Sequence, residues 1–168
     1  AYDKNAGVTR SDVLLRSDAS VSAEMAVRRN RLFDLTSTRY LVGKIHDLEA
    51  TQNDSLVWED GQWRIVSRAS SLPRMYMVYK SQTIQGDDQI LYRLFDPQFD
   101  VSNTVVLEAD PPMEIDTSKK VPHATIAITQ YSGNLIEAKV TTSQDGILVL
   151  TDTWYPGWKA SVDSKQTP

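Results

Sequence analysis

The 168-residue chain contains no cysteine, so disulfides, thiolate metal sites and cysteine nucleophiles are excluded, although the compartment is left open. Histidine is almost as scarce. His46 and His123 lie far apart, and neither belongs to an H-x-H or H-E-x-x-H pattern, so no zinc site is expected. A serine triad would have to use one of these two, and no G-x-S-x-G elbow is present. No glycine-rich loop follows a strand-like stretch, which removes nucleotide binding by that route. No apolar run approaches the roughly 20 residues that span a bilayer. Positive charge is not in excess either: Lys plus Arg total 18 against 22 Asp plus Glu, a net charge of -4. A dedicated nucleic-acid binder needs a basic face to neutralise phosphates, so that partner is not expected. The basic cluster Arg28-Arg29-Asn30-Arg31 reads as a solvated helix face.

What is present is an ordinary globular balance, 40% hydrophobic and 24% charged, in a chain long enough to bury a core. The segment "SVSAEMAVRRNRLFDLTSTRY" sets Val21, Met25, Leu32 and Leu35 at helical spacing. A helix is predicted over about Ser22–Leu35, with Ser20 or Ser22 as N-cap and Glu24 near the first turn. "RYLVGKI" reads as a strand. In "SLVWEDGQWRIVSRA" two apolar runs flank Asp60-Gly61, the pair that supplies a tight hairpin turn. "PRMYMVYKSQTI" alternates as a strand. "GDDQILYRLFDPQFD" reads as a second helix, opened by Asp87 and Asp88 and stopped before Pro97. "NTVVLEA" reads as a short buried strand.

The expected class is α+β. Residues 1–110 form an α/β part with mixed or antiparallel strands and two helices. A Pro- and charge-rich linker spans 111–122, and residues 123–168 form an antiparallel β-sheet or partial β-sandwich. Four strand-like stretches fill this last part: "ATIAITQY", "LIEAKVTT", "GILVLTDT" and "WKASVD". Their separators Ser132-Gly133-Asn134, Gln144-Asp145-Gly146 and Tyr155-Pro156-Gly157 are competent turns. A sandwich usually needs about seven strands. Four imply a sheet completed by a missing piece or by the first half of the chain. With no signal peptide and no initiating Met, a processed product or a piece of a longer protein is expected, cut short at its C-terminal end.

The segments "DPQFDVSNTVVLE" and "GILVLTDTWYPGWKASVD" resemble the C-terminal extracytoplasmic region of YfhO-like bacterial membrane proteins. "LFDLTSTRYLVG", "LPRMYMVYKSQTI" and "ITQYSGNLIEAKVTTSQDGILVL" follow that family's order, so the likeness covers about Leu32 to Asp163. It implies a module outside the cytoplasm, anchored to a multi-spanning membrane part of glycosyltransferase type that holds the chemistry. No residue here matches that catalytic region. The family usually has Gly where this chain has Ser164.

Trp154, Tyr155 and Trp158 surround Pro156-Gly157. As a glycan platform they would stack on sugar rings. As a hairpin corner, alternation would put Trp158, Ala160 and Val162 on a buried face, with Trp158 in the core. The structural reading is favoured, and the three rings stay the candidate substrate-binding residues. The carboxylates Asp87, Asp88, Asp96, Asp100, Glu108, Asp110, Glu114 and Asp116 follow no calcium-loop pattern, and a structural role is expected for them. No catalytic residue, metal or cofactor is expected. Three functions follow: a non-catalytic domain accessory to transfer of a lipid-linked sugar to a cell-envelope glycan, a carbohydrate-binding module using residues 154–158, or an assembly domain pairing through an open sheet edge. The expected partners are the membrane-embedded part of the same chain and the cell-envelope glycan or lipid-linked sugar.

Overall fold

The computed structural model describes residues 23–48, 50–111, 115 and 123–167. The proposed caps Ser20 and Ser22, Val21, the side chain of Glu24, Glu114, Asp116 and most of the 111–122 linker lie outside these. The class is α+β, with two helices and many strands in several small sheets.

Helix α1 (Ala23–Leu35) ends where Thr36, Ser37 and Thr38 compete for its last carbonyls. Ser37 adopts a left-handed φ of 54°. The Ser37 N–H donates to Asp34 O (3.1 Å) and the Thr38 N–H to Phe33 O (2.8 Å), so serine closes a Schellman cap where glycine is usual. Strands β1 (Tyr40–Lys44), β2 (Ser55–Glu59) and β3 (Trp63–Ser67) form an antiparallel sheet in the order β1-β3-β2. The expected Asp60-Gly61 hairpin joins β2 to β3, and Gly61 has φ +92°.

One side of this sheet is fastened to α1 through Arg68. Its buried guanidinium pairs with Asp34 at 2.7 Å, donates to Asn30 O (3.1 Å), Thr38 O (3.2 Å) and Ser70 Oγ (3.1 Å), and lies over the Phe33 ring. A buried arginine so fully partnered holds its geometry firmly, because losing any partner strands a charge away from water. Arg31, placed by sequence on a solvated face, instead donates to Phe99 O (2.9 Å) and Asp96 O (3.3 Å). Tertiary packing redirects it to the carbonyls of a loop.

The expected strand at "PRMYMVYKSQTI" is interrupted at Tyr79, giving β4 (Met75–Val78) and β5 (Lys80–Thr83). After β5 the chain runs through α2 (Asp87–Leu94) and returns as β6 (Thr104–Leu107), parallel to β5. A crossover helix is what makes a parallel return possible. β6 is half-buried along its length rather than fully buried. The loop before it contributes Phe99 and Val101 to the core, alongside Val66 and Val78.

Beyond residue 122, β7 (Ala124–Ser132) and β8 (Leu135–Thr142) form a long hairpin. β9 (Ile147–Leu150) then leaves its neighbours and pairs antiparallel with β4, from Met75↔Leu150 to Val78↔Ile147. The four late strands therefore do not make one sheet. The first half of the chain takes up β9, and the ladder crosses the 111–122 segment. Gly146, before β9, is required by space: a Cβ there would lie 2.7 Å from the Tyr79 ring. β10 (Ala160–Val162) turns through Asp163 and Ser164 into β11 (Lys165–Thr167), a strand beyond the four expected in this part.

Candidate functional site

The aromatic turn follows directly from β9. Thr151 donates its N–H to Arg74 O (3.0 Å), extending the β4–β9 ladder by one residue. Asp152 then meets a cluster assembled from three distant parts of the chain. Arg74 pairs with the Asp152 carboxylate, donates to the Tyr131 hydroxyl, and sets its guanidinium 4.7 Å from the Tyr131 ring centroid. The Tyr131 hydroxyl donates to Asp152 Oδ2 (3.2 Å). Among the described residues, Arg74 Nε and Nη1 make no hydrogen bond, so this half-exposed guanidinium keeps donors for a ligand.

Two residues on, Trp154 and Tyr155 stand 71% and 56% exposed. Gly157, at φ +124°, turns the chain, and the Trp158 N–H donates to Tyr155 O (3.3 Å). The Tyr155 and Trp158 rings meet edge to face, with centroids 6.1 Å apart. Trp158 is half-buried, not a core residue, and Ala160 and Val162 are exposed. The expected buried alternation fails because β10 has only β11 beside it, and alternation buries a face only when another layer covers it. The rings thus sit on a short exposed turn beside a charged, hydrogen-bonding cluster. That arrangement can stack on an apolar ligand face and hydrogen-bond to its edge. Sequence reading identified the rings and missed Arg74 and Tyr131, which lie 57 residues apart in the chain and carry no shared motif.

A concavity of about 270 Å³, which Asp152 also lines, opens among Leu35, Tyr76, Leu94, Val101 and Val149. Its walls are largely aliphatic. The Tyr76 hydroxyl donates to Val101 O (3.3 Å), and burial pushes its pKa up, so it is not a ready base.

Asp96, Asp100 and Asp110 have structural partners. Asp87 and Asp88 occupy the first turn of α2. Asp96 pairs with Arg93 at 2.6 Å, and Asp110 accepts from Thr83 Oγ1 (2.6 Å). Asp100 accepts from Ser102 Oγ (2.6 Å) and Asn103 Nδ2 (2.7 Å); chiefly these two bonds hold its carboxyl below the usual range, against the opposing effect of burial. His46 and His123 are exposed. Among the described residues, no group of three or more His, Asp or Glu is placed to hold a metal ion, and no helix is long and apolar enough to cross a membrane. Comparison of the chain with protein-family models, with curated proteins and with solved structures returns no match.

Proposed function

We propose that the chain is a non-catalytic extracytoplasmic domain of a bacterial multi-spanning membrane protein, accessory to transfer of a lipid-linked sugar to a cell-envelope glycan. In this reading it touches the sugar through Trp154, Tyr155 and Trp158, and catalysis belongs to the membrane-embedded part of the same protein. The likeness of "DPQFDVSNTVVLE" and "GILVLTDTWYPGWKASVD" to the YfhO-like region supports the topology.

The observation that carries the glycan contact is the exposure of Trp154 and Tyr155 two and three residues from Asp152, itself held by Arg74 and Tyr131. A sugar ring presents an apolar C–H face and a rim of hydroxyls. Aromatic faces take the first, and fixed charged partners take the second. Because the ligand edge would meet donors already oriented by neighbours, little side-chain freedom is lost on binding.

Titration of the chain with neutral, amino and acidic oligosaccharides, followed by tryptophan fluorescence, tests this. A saturable change is expected, lost in Trp154→Ala while the melting temperature stays unchanged, since that ring is exposed. Flat titrations across the whole panel would sink the glycan contact.

A further inference from the structure

The three-stranded sheet has a second, uncovered side. Residues paired across antiparallel strands project to the same face. Val42 pairs with Ile65, and Ile65 with Trp58, so these three form one row across all three strands. The next row holds Lys44 opposite Trp63, and Tyr40 lies on the same face two residues before Val42. Val42, Trp58 and Trp63 are 64%, 48% and 43% exposed. The opposite face carries the buried Val66 and Arg68 and meets α1 and Leu48, with Leu56 exposed at its β2 edge.

Charge is sorted between the two faces. Lys44 is the only charged strand residue in the aromatic rows, and Arg39 lays its guanidinium 5.7 Å from the Tyr40 ring centroid. Glu59 pairs in register with Arg64 and salt-bridges to it at 3.0 Å, which turns it to the other face. At the hairpin tip Asp60 is bent back onto the N–H groups of Gln62 (2.9 Å) and Trp63 (2.8 Å). Among the described residues, the strand rows of this face therefore present tryptophan, tyrosine and aliphatic side chains with cations and no carboxylate.

We propose that this face lies on an anionic lipid surface, with Trp58 and Trp63 at the headgroup–acyl boundary and Lys44 and Arg39 against phosphate. Tryptophan and tyrosine combine an apolar body with a polar tip, which suits that boundary, and flexible cationic side chains reach from it to the headgroups. A second copy related by a two-fold axis fits less well, because a face-to-face pair would cover Lys44 and Arg39 with no carboxylate among the described strand residues of the face to receive them. The inference uses a different face from the glycan reading and would stand if the aromatic turn bound nothing.

The test is co-sedimentation of the 168-residue chain with vesicles of equimolar phosphatidylcholine and phosphatidylglycerol, and with phosphatidylcholine alone. Binding to the anionic vesicles is expected, with a blue shift of tryptophan emission. Lys44→Glu should weaken partitioning by about fivefold or more. Trp58→Ser with Trp63→Ser should weaken it by about tenfold or more, with an unchanged circular dichroism spectrum. Should that double variant unfold, Trp154→Phe with Trp158→Phe leaves only Trp58 and Trp63 as reporters, and lipids brominated along the acyl chain should quench them. No sedimentation, partitioning indifferent to Lys44, or unquenched Trp58 and Trp63 overturns the proposal. So does a lipid-free dimer that Lys44→Glu dissociates.

Discussion

Two hairpins with an aspartate at the turn come to opposite ends in this molecule. In β2–β3 the Asp60 carboxylate accepts two backbone N–H bonds, from Gln62 and Trp63, and Gly61 takes the positive φ at no steric cost. β1 joins the pair, and Arg68 fastens the sheet to α1. In β10–β11 the turn residues Asp163 and Ser164 hold φ of 49° and 64° without a glycine, only three residue pairs form, and the strands stay open to solvent. Turn chemistry starts a hairpin in both. What makes one of them a scaffold is a third strand and a helix clasped by a buried charge.

The largest test of that difference is Arg68→Ala. It leaves the Asp34 carboxylate with only the Ser70 hydroxyl (2.8 Å), without its cation, and removes a donor from the carbonyls of Asn30 and Thr38; a loss of about 3 kcal/mol or more is expected in urea denaturation. A loss below about 1 kcal/mol would mean that α1 is held by other contacts. Gly146→Val comes next. Its side chain meets the Tyr79 ring and Met77, and overpacking of this kind costs about 1–3 kcal/mol, read as a lowered melting temperature. An unchanged melting temperature would show that β9 shifts freely against β4. The smallest effect is Ser164→Gly, which relieves a left-handed serine and gives the weak hairpin the residue that the strong one has. Amide exchange in β10 and β11 should slow by about two- to threefold, with global stability unchanged. If exchange does not slow, solvent exposure rather than turn strain limits this hairpin.

Features written in local residue patterns were legible in the sequence. The helix ending at Leu35, the Asp60-Gly61 turn and the second helix opened by Asp87 and Asp88 all follow from apolar spacing, first-turn charge and φ preference, and all are present. Partners distant along the chain were not legible. Nothing in "GILVLTDT" says that β9 should pair with β4 rather than β8, because its continuous apolar run suits either neighbour. The same limit explains the site. The three aromatic residues are conspicuous side by side, whereas Arg74 and Tyr131 become neighbours of Asp152 only through the ladder that delivers them. Burial was misjudged at Trp158 for a related reason, since alternation marks two faces without saying whether either is covered.

The β4–β9 pairing also has a temporal side. Met75 faces Leu150, so the ladder closes a loop of about 75 residues, and such closure is slow because the chain must lose much of its freedom before the contact is made. During synthesis α1, the first sheet and the β5–α2–β6 unit can assemble early, while β4 waits with an unpaired edge for a strand not yet translated. Over that interval the Met75–Val78 edge can recruit a wrong strand, from this chain or another. The arrival of β9 therefore sets how long the nascent chain is vulnerable to aggregation through this edge.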